Sequence, residues 1–229
     1  MTEANVDALF RWNKPVKIHG RQIWLRTLSA TDDNERMRTA MFKGRQLRVK
    51  LLAEGSPERE ELMAAVEGLE RTELLSVIRA YQTEEARGLS VREVQPKVDP
   101  AKPIEQTLQA AMDAEDAWDK ELSEVAERRE SFIKERVDTY MAILNEKTDE
   151  EVRQIAIELE VNFACTRCYT EEWQRQSLFR ACYNDEEFTV RTFASALEAG
   201  DLDSRAHGKL LNEYYELDRF ALDAESLKN

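Results

Sequence analysis

Period two opens the chain. Val16 and Ile18 alternate with Lys17 and His19, and Ile23 and Leu25 alternate with Gln22, Trp24 and Arg26. Two such runs on either side of His19-Gly20 predict a β-hairpin, because successive strand side chains point to opposite faces. A lone hairpin is marginal in water, so this one must pack on a helix or a partner. Beyond it the period becomes helical. Thr31-Asp32-Asp33 offers N-cap oxygens, and Met37, Ala40, Met41, Leu47, Leu51 and Leu52 form an imperfect stripe up to about Ala53, with Gly55 as the stop. Ser56-Pro57 starts a second helix to about Arg87 through Leu62, Val66, Leu69, Leu74, Val77, Ile78 and Tyr81, and Gly88 ends it. Residues 89–103, with Pro96, Pro100 and Pro103, read as a linker.

The longest element is expected over residues 104–145. Its seam runs Ile104, Leu108, Ala111, Glu115, Trp118, Leu122, Val125, Arg129, Phe132, a 4,3 rhythm with two charged interruptions. After Phe132 the register slips to Ile133, Val137, Tyr140, Met141 and Leu144, so one unbroken helix and a helix broken at the slip both remain open. Thr148-Asp149-Glu150-Glu151 is a capping box. The helix it starts carries Val152, Ile155, Ala156, Leu159, Phe163 and Ala164, and continues to Tyr183 with a possible break at Thr170. A short helix over 187–199 with Gly200 as its C′ residue follows. A last helix is capped by Asp203 or Ser204 and shows Leu210, Leu211, Tyr214, Leu217, Phe220 and Ala221 on one face.

The expected fold is therefore mainly α: a small N-terminal β-hairpin, a helical body and a long helical hairpin insertion. Three segments follow: 1–55 (hairpin plus basic helix), 56–145 (long helical hairpin with its Pro-rich linker at 89–103) and 146–229 (a C-terminal helical body packing on 1–55). Composition agrees, since 7 Gly and 5 Pro in 229 residues leave few tight turns and argue against a β-sandwich or barrel.

Charge adds a second pattern. The net charge of −13 disfavours nonspecific nucleic-acid binding and anionic membranes. It is unevenly spread: residues 11–50 hold 11 basic against 3 acidic residues, and residues 101–160 hold 8 basic against 17 acidic. Two readings stand: these segments face each other or water within one fold, or the basic part meets an acidic partner. No apolar run reaches the roughly 18–20 residues of a membrane span. Residues 1–10 lack a signal-peptide pattern, so a cytoplasmic protein is expected.

Catalytic and metal signals are sparse. Cys165-Thr166-Arg167-Cys168, with Cys182 and His207, could supply four zinc ligands, but a second short-spaced pair is missing and the cysteines fall in an apolar helical pattern. The expectation is no metal and no cofactor. His19 and His207 have no Ser, Cys or Asp at a catalytic spacing, and none of the common phosphate-loop or nucleophile motifs is present, so no enzyme is expected. Lys43, Arg45, Arg48 and Lys50 could contact phosphate, but no helix-turn-helix frame surrounds them.

Two stretches together resemble the tail assembly chaperones of tailed bacteriophages. One is the hairpin leading through Leu25-Arg26-Thr27-Leu28-Ser29 into the first helix; the other is the C-terminal third ending in Leu210-Leu211-Asn212-Glu213-Tyr214-Tyr215-Glu216-Leu217. The resemblance covers about half of the chain. It implies a non-enzymatic helical protein of the host cytoplasm that binds the tape-measure protein, keeps it soluble, recruits tail-tube protein and then leaves. The segment over 56–145 departs from the family pattern and reads as an insertion. That departure leaves open a structural or adaptor protein of the virion (neck, tail or baseplate); a homo-oligomer is compatible with either. Candidate partner-binding residues are Trp24, Tyr215, Met37, Met41, Phe42, Tyr214 and Phe220, because aromatic and Met side chains are enriched at binding surfaces. Met37, Met41 and Phe220 also fit a core. Trp24 and Tyr215 lie off their local apolar faces.

Overall fold

The computed structural model describes residues 12–93 and 108–226, with side-chain surroundings described for 12–91, 120 and 123–219. In chain order the elements are β1 (Asn13–Ile18), β2 (Arg21–Arg26), α1 (Ala30–Leu52), α2 (Pro57–Glu67), α3 (Arg71–Glu93), α4 (Leu108–Asn145), α5 (Asp149–Ala181), β3 (Cys182–Tyr183), α6 (Ala196–Gly200) and α7 (Ser204–Ser226). The fold is mainly α with a small N-terminal antiparallel hairpin. The chain divides into two compact units, Met1–Ser56 with Asn162–Asn229, and Pro57–Val161.

In the first unit the hairpin closes on His19 (φ 48°) and Gly20 (φ 79°). Two consecutive positive φ angles are the signature of a type I′ turn, whose twist matches that of the strands. The register pairs Val16 with Ile23 and Ile18 with Arg21. Val16, Ile18, Ile23 and Leu25 are buried together with Leu178, Cys182, Phe193, Leu210, Tyr214 and Leu217.

Three expectations for this unit need correction. The hairpin is not alone: β3 adds a third strand, pairing Trp24 with Tyr183 and Leu25 with Cys182. Cys182 and Tyr183 thus leave the helix to which their apolar character assigned them, while α5 itself runs through Thr170 without a break. The helix expected over 187–199 shrinks to α6. The Asp185 carboxylate accepts from the Thr189 and Val190 amides (2.8 and 2.7 Å) and organises a loop there instead. Capping also moves at α1. Ser29, not residues 31–33, caps it, its hydroxyl accepting from the Asp32 amide at 3.1 Å. Asp203 caps α7 by accepting from the Ala206 amide at 3.0 Å.

The second unit buries Val66, Leu74, Ile78, Ala86, Val137, Met141, Leu144, Val152 and Ala156. α4 is one unbroken helix of 38 residues. The helix expected over 56–87 is two helices, parted at Gly68-Leu69-Glu70, while Gly88 lies inside α3. The break is held from far along the chain: Arg153 donates to the carbonyls of Val66 (3.2 Å) and Glu67 (2.9 Å). Those carbonyls would otherwise be orphans of a helix C-terminus. Arg71 does the same for the end of α4, reaching the carbonyls of Leu144 (3.1 Å) and Lys147 (2.9 Å). The capping box forms as read, with the Thr148 amide donating to Glu151 Oε2 at 2.8 Å and the Glu151 amide to Thr148 Oγ1 at 3.3 Å. The expected boundary at 145/146 does not coincide with the unit boundary at 161/162. Val152 and Ala156, in the first turns of α5, are buried in this unit's core.

The linker expected at 89–103 begins as helix, since α3 extends to Glu93. Its remainder lies outside the described residues.

Candidate partner interface

α1 turns one narrow stripe inward: Arg36, Ala40, Gly44 and Leu51 are buried. Two of these have small or absent side chains, so the helix backbone comes close to α5. A Cβ at Gly44 would sit 3.3 Å from the Cys165 carbonyl oxygen and 3.5 Å from Tyr169 Cβ.

Arg36 anchors the other end of the stripe. Its guanidinium lies 3.8 Å from the centroid of the Trp173 ring. It donates to Ser177 Oγ at 2.9 Å and to Tyr214 Oη at 3.1 Å, and pairs with Asp33. An aromatic face, two hydroxyls and a carboxylate together compensate the buried cation, while its Nε is left without a hydrogen-bond partner among the described residues. Burial pushes the Tyr214 hydroxyl pKa up, so it stays protonated. Nearby, Arg180 bonds Glu35 at 2.7 Å and approaches Asp32 at 3.4 Å, and Arg26 lies 3.6 Å from Asp32. All three acidic residues of α1 are thereby engaged.

The outer surface of α1 has the opposite character. Met37 (38 % exposed), Met41 (39 %), Phe42 (59 %), Val49 (69 %) and Leu52 (54 %) all face solvent. At about 100° per residue they spread over about 140° of the helix circumference. Exposed Arg38, Arg45 and Arg48 fall within the same arc, and positions 36–52 contain six basic and no acidic residues. Arg48 reaches Asn162 Oδ1 at 3.0 Å. Arg38 and Arg45 make no ion pair among the described residues. Five large apolar side chains within about four turns of one exposed helix are more than scattered surface hydrophobics.

The other candidates separate. Trp24 is half-buried on the sheet face opposite Ile23 and Leu25, paired across the strands with Pro15 and Tyr183. Tyr215 is 41 % exposed, and burial of its other side raises its pKa against a hydrogen bond from Gln174. Tyr214 is a correction: it is fully buried, bonded to Arg36, and belongs to the core. The Phe220 side chain lies outside the described residues. Val49, Leu52 and Arg38 join the candidates although the sequence reading omitted them; their signal was the lack of any acidic residue after Glu35 in the helix.

An open groove of about 810 Å³ lies at the hairpin tip, with Ile18, Ile23, Phe193 and Leu202 as apolar lining and Arg21 and Glu198 as charged lining. His19 beside it bonds Asp203 at 2.7 Å. Cys165 and Cys168 are partly exposed on α5, whereas Cys182 is buried in the sheet, where desolvation pushes its thiol pKa far up. Among the described residues no group of three or more His, Cys, Asp or Glu could hold a metal ion, and no helix is long and apolar enough to cross a membrane. Comparison with family models, with curated proteins and with solved structures gives no match.

Proposed function

We propose that this protein is a non-enzymatic binding protein that holds an apolar helical client on the outer face of α1. The observation that carries this reading is the row of five exposed apolar side chains on a helix firmly seated by Arg36 and Gly44. A helix face of this kind suits helix-in-groove or helix-on-helix recognition, and Met side chains adapt to varied contacts. The hairpin leading into α1 and the form of the last helix resemble tail assembly chaperones of tailed bacteriophages. On that resemblance the client is the tape-measure protein, held soluble in the host cytoplasm while tail-tube protein assembles.

Co-expression with a tape-measure protein encoded beside this gene is the test. The wild-type chain is expected to keep that protein soluble and to co-purify with it, and Phe42→Asp with Val49→Asp to lose both effects. Failure of the wild-type chain to bind any tail protein sinks the chaperone reading. Recovery of the chain in purified particles points instead to a structural or adaptor role in the virion.

A further inference from the structure

We infer that the α1 face selects an acidic amphipathic helix, one whose apolar seam is interrupted by Asp or Glu seven residues apart. This deepens the reading of α1 as a client surface and rests on it. The exposed arc is not apolar with charge at its margins. Met37, Met41 and Leu52 lie along one side, Phe42 and Val49 along the other, and Arg38 and Arg45 fall between the two rows. Arg38 and Arg45 are seven residues apart and so share nearly one angular position, about 10 Å apart along the axis. A client that covers both apolar rows must cover these two guanidinium groups too. Burying an unpaired charge is strongly unfavourable, so the client has to bring carboxylates to the same two places. A second helix places such groups naturally at a seven-residue spacing, and Arg pairs bidentately with carboxylate.

The same placement disfavours two other occupants of a basic, apolar helix. In a helix lying on a membrane the cations flank the apolar face and stay at headgroup level; here insertion of Phe42 and Met41 would carry Arg38 and Arg45 below it. Nucleic acid would satisfy the arginines but press phosphates against Phe42, Val49 and the two methionines. The acidic residues of α1 do not compensate the arginines from within, because Asp32, Asp33 and Glu35 are engaged by Arg26, Arg36 and Arg180.

The test uses the full chain and labelled synthetic helical peptides of identical Leu seam, carrying two Glu, two Gln or two Lys seven residues apart within it. Fluorescence anisotropy is expected to show the Glu peptide binding at least about tenfold more tightly than the Lys peptide, with the gap narrowing from about 0.05 M to about 0.5 M salt. Arg38→Glu with Arg45→Glu, both exposed, is expected to invert the preference while circular dichroism stays unchanged. Phe42→Asp is expected to weaken all three peptides. Equal binding of the three peptides, or a Glu preference that survives the double reversal, overturns the inference. So does tighter binding to duplex DNA or to vesicles containing phosphatidylserine than to any peptide. Binding of the Glu peptide without co-purification of any tail protein leaves the recognition rule standing and removes the tail chaperone reading. Co-purification of tape-measure protein that is indifferent to Arg38→Glu with Arg45→Glu does the reverse.

Discussion

Arginines serve different ends in the two compact units. In Pro57–Val161, Arg71 and Arg153 donate to backbone carbonyls at helix ends, and the core is mainly apolar, with Gln82 and Ser90 also buried. In the other unit Arg36 is itself part of the interior, held by an aromatic ring, two hydroxyls and a carboxylate from α1, α5 and α7. The first arrangement closes helix ends within one unit, over 73 to 87 positions of chain. The second ties together segments that the sequence keeps far apart, Arg36 to Tyr214 being 178 positions. Helix ends cost little to re-solvate, whereas an interior cation has no alternative partner. The two units should therefore respond differently to loss of an arginine.

The largest expected effect follows from that difference. Arg36→Ala should cost about 3 kcal/mol in urea unfolding, at the lower end for a broken buried ion pair because Asp33 is 41 % exposed. A loss below about 1 kcal/mol would show that the cluster contributes no more than a surface pair. Next, Ile78→Ala in the apolar core should cost about 2–3 kcal/mol. Amide exchange should quicken in α3 and α4 but not at Leu25 or Cys182; equal quickening in both places would mean that the units open as one. Arg153→Ala should cost only about 1 kcal/mol, since water can replace it at the Glu67 carbonyl. A cost matching that of Arg36→Ala would erase the contrast.

The smallest effect is on acid stability. The Ala206 amide and His19 hold the Asp203 carboxylate below its ordinary value of 3.8. A depressed folded-state pKa stabilises above 3.8, and that contribution is lost as pH falls through the lower folded value. Asp203→Asn keeps a capping oxygen but removes this titration, so the acid limb of its stability curve should be flatter than wild type. An unchanged limb would leave the contact with no role in acid stability.

How far the fold could be read from the residues depended on how far apart the deciding groups lie. The hairpin, the helical state of α4 and the Thr148–Glu151 box are decided within a few residues, and each forms as the pattern indicates. The break at Gly68 has local marks, the glycine itself and the Glu70 amide donating to Glu73 Oε2 at 2.9 Å, but its support by Arg153 is distant, and strand β3 depends on β2. The outer face of α1 shows the same limit. Met37 and Met41 fit a core stripe by spacing, but Ala40 and Gly44 allow α1 to approach α5 along a different stripe and leave the methionines outside. Tyr214 and Tyr215 are neighbours with opposite fates. The apolar face of Leu211, Tyr214 and Leu217 already marked Tyr214 as interior, and its aromatic character was the misleading feature.

The pairing of Leu25 with Cys182 has a consequence for synthesis. Ribosomes extend chains at about 5–20 residues per second. The 157 positions between these partners therefore take roughly 8–30 s to emerge. A hairpin forms within microseconds but is marginal alone, so its apolar residues stay uncovered until β3 and α7 emerge. For that interval the nascent chain presents Val16, Ile18, Ile23 and Leu25 to the cell, while α2, α3 and α4 can already assemble. Ribosome-associated holdases should therefore engage the nascent chain through its earliest strands, and slowing translation late in the message should lengthen that engagement.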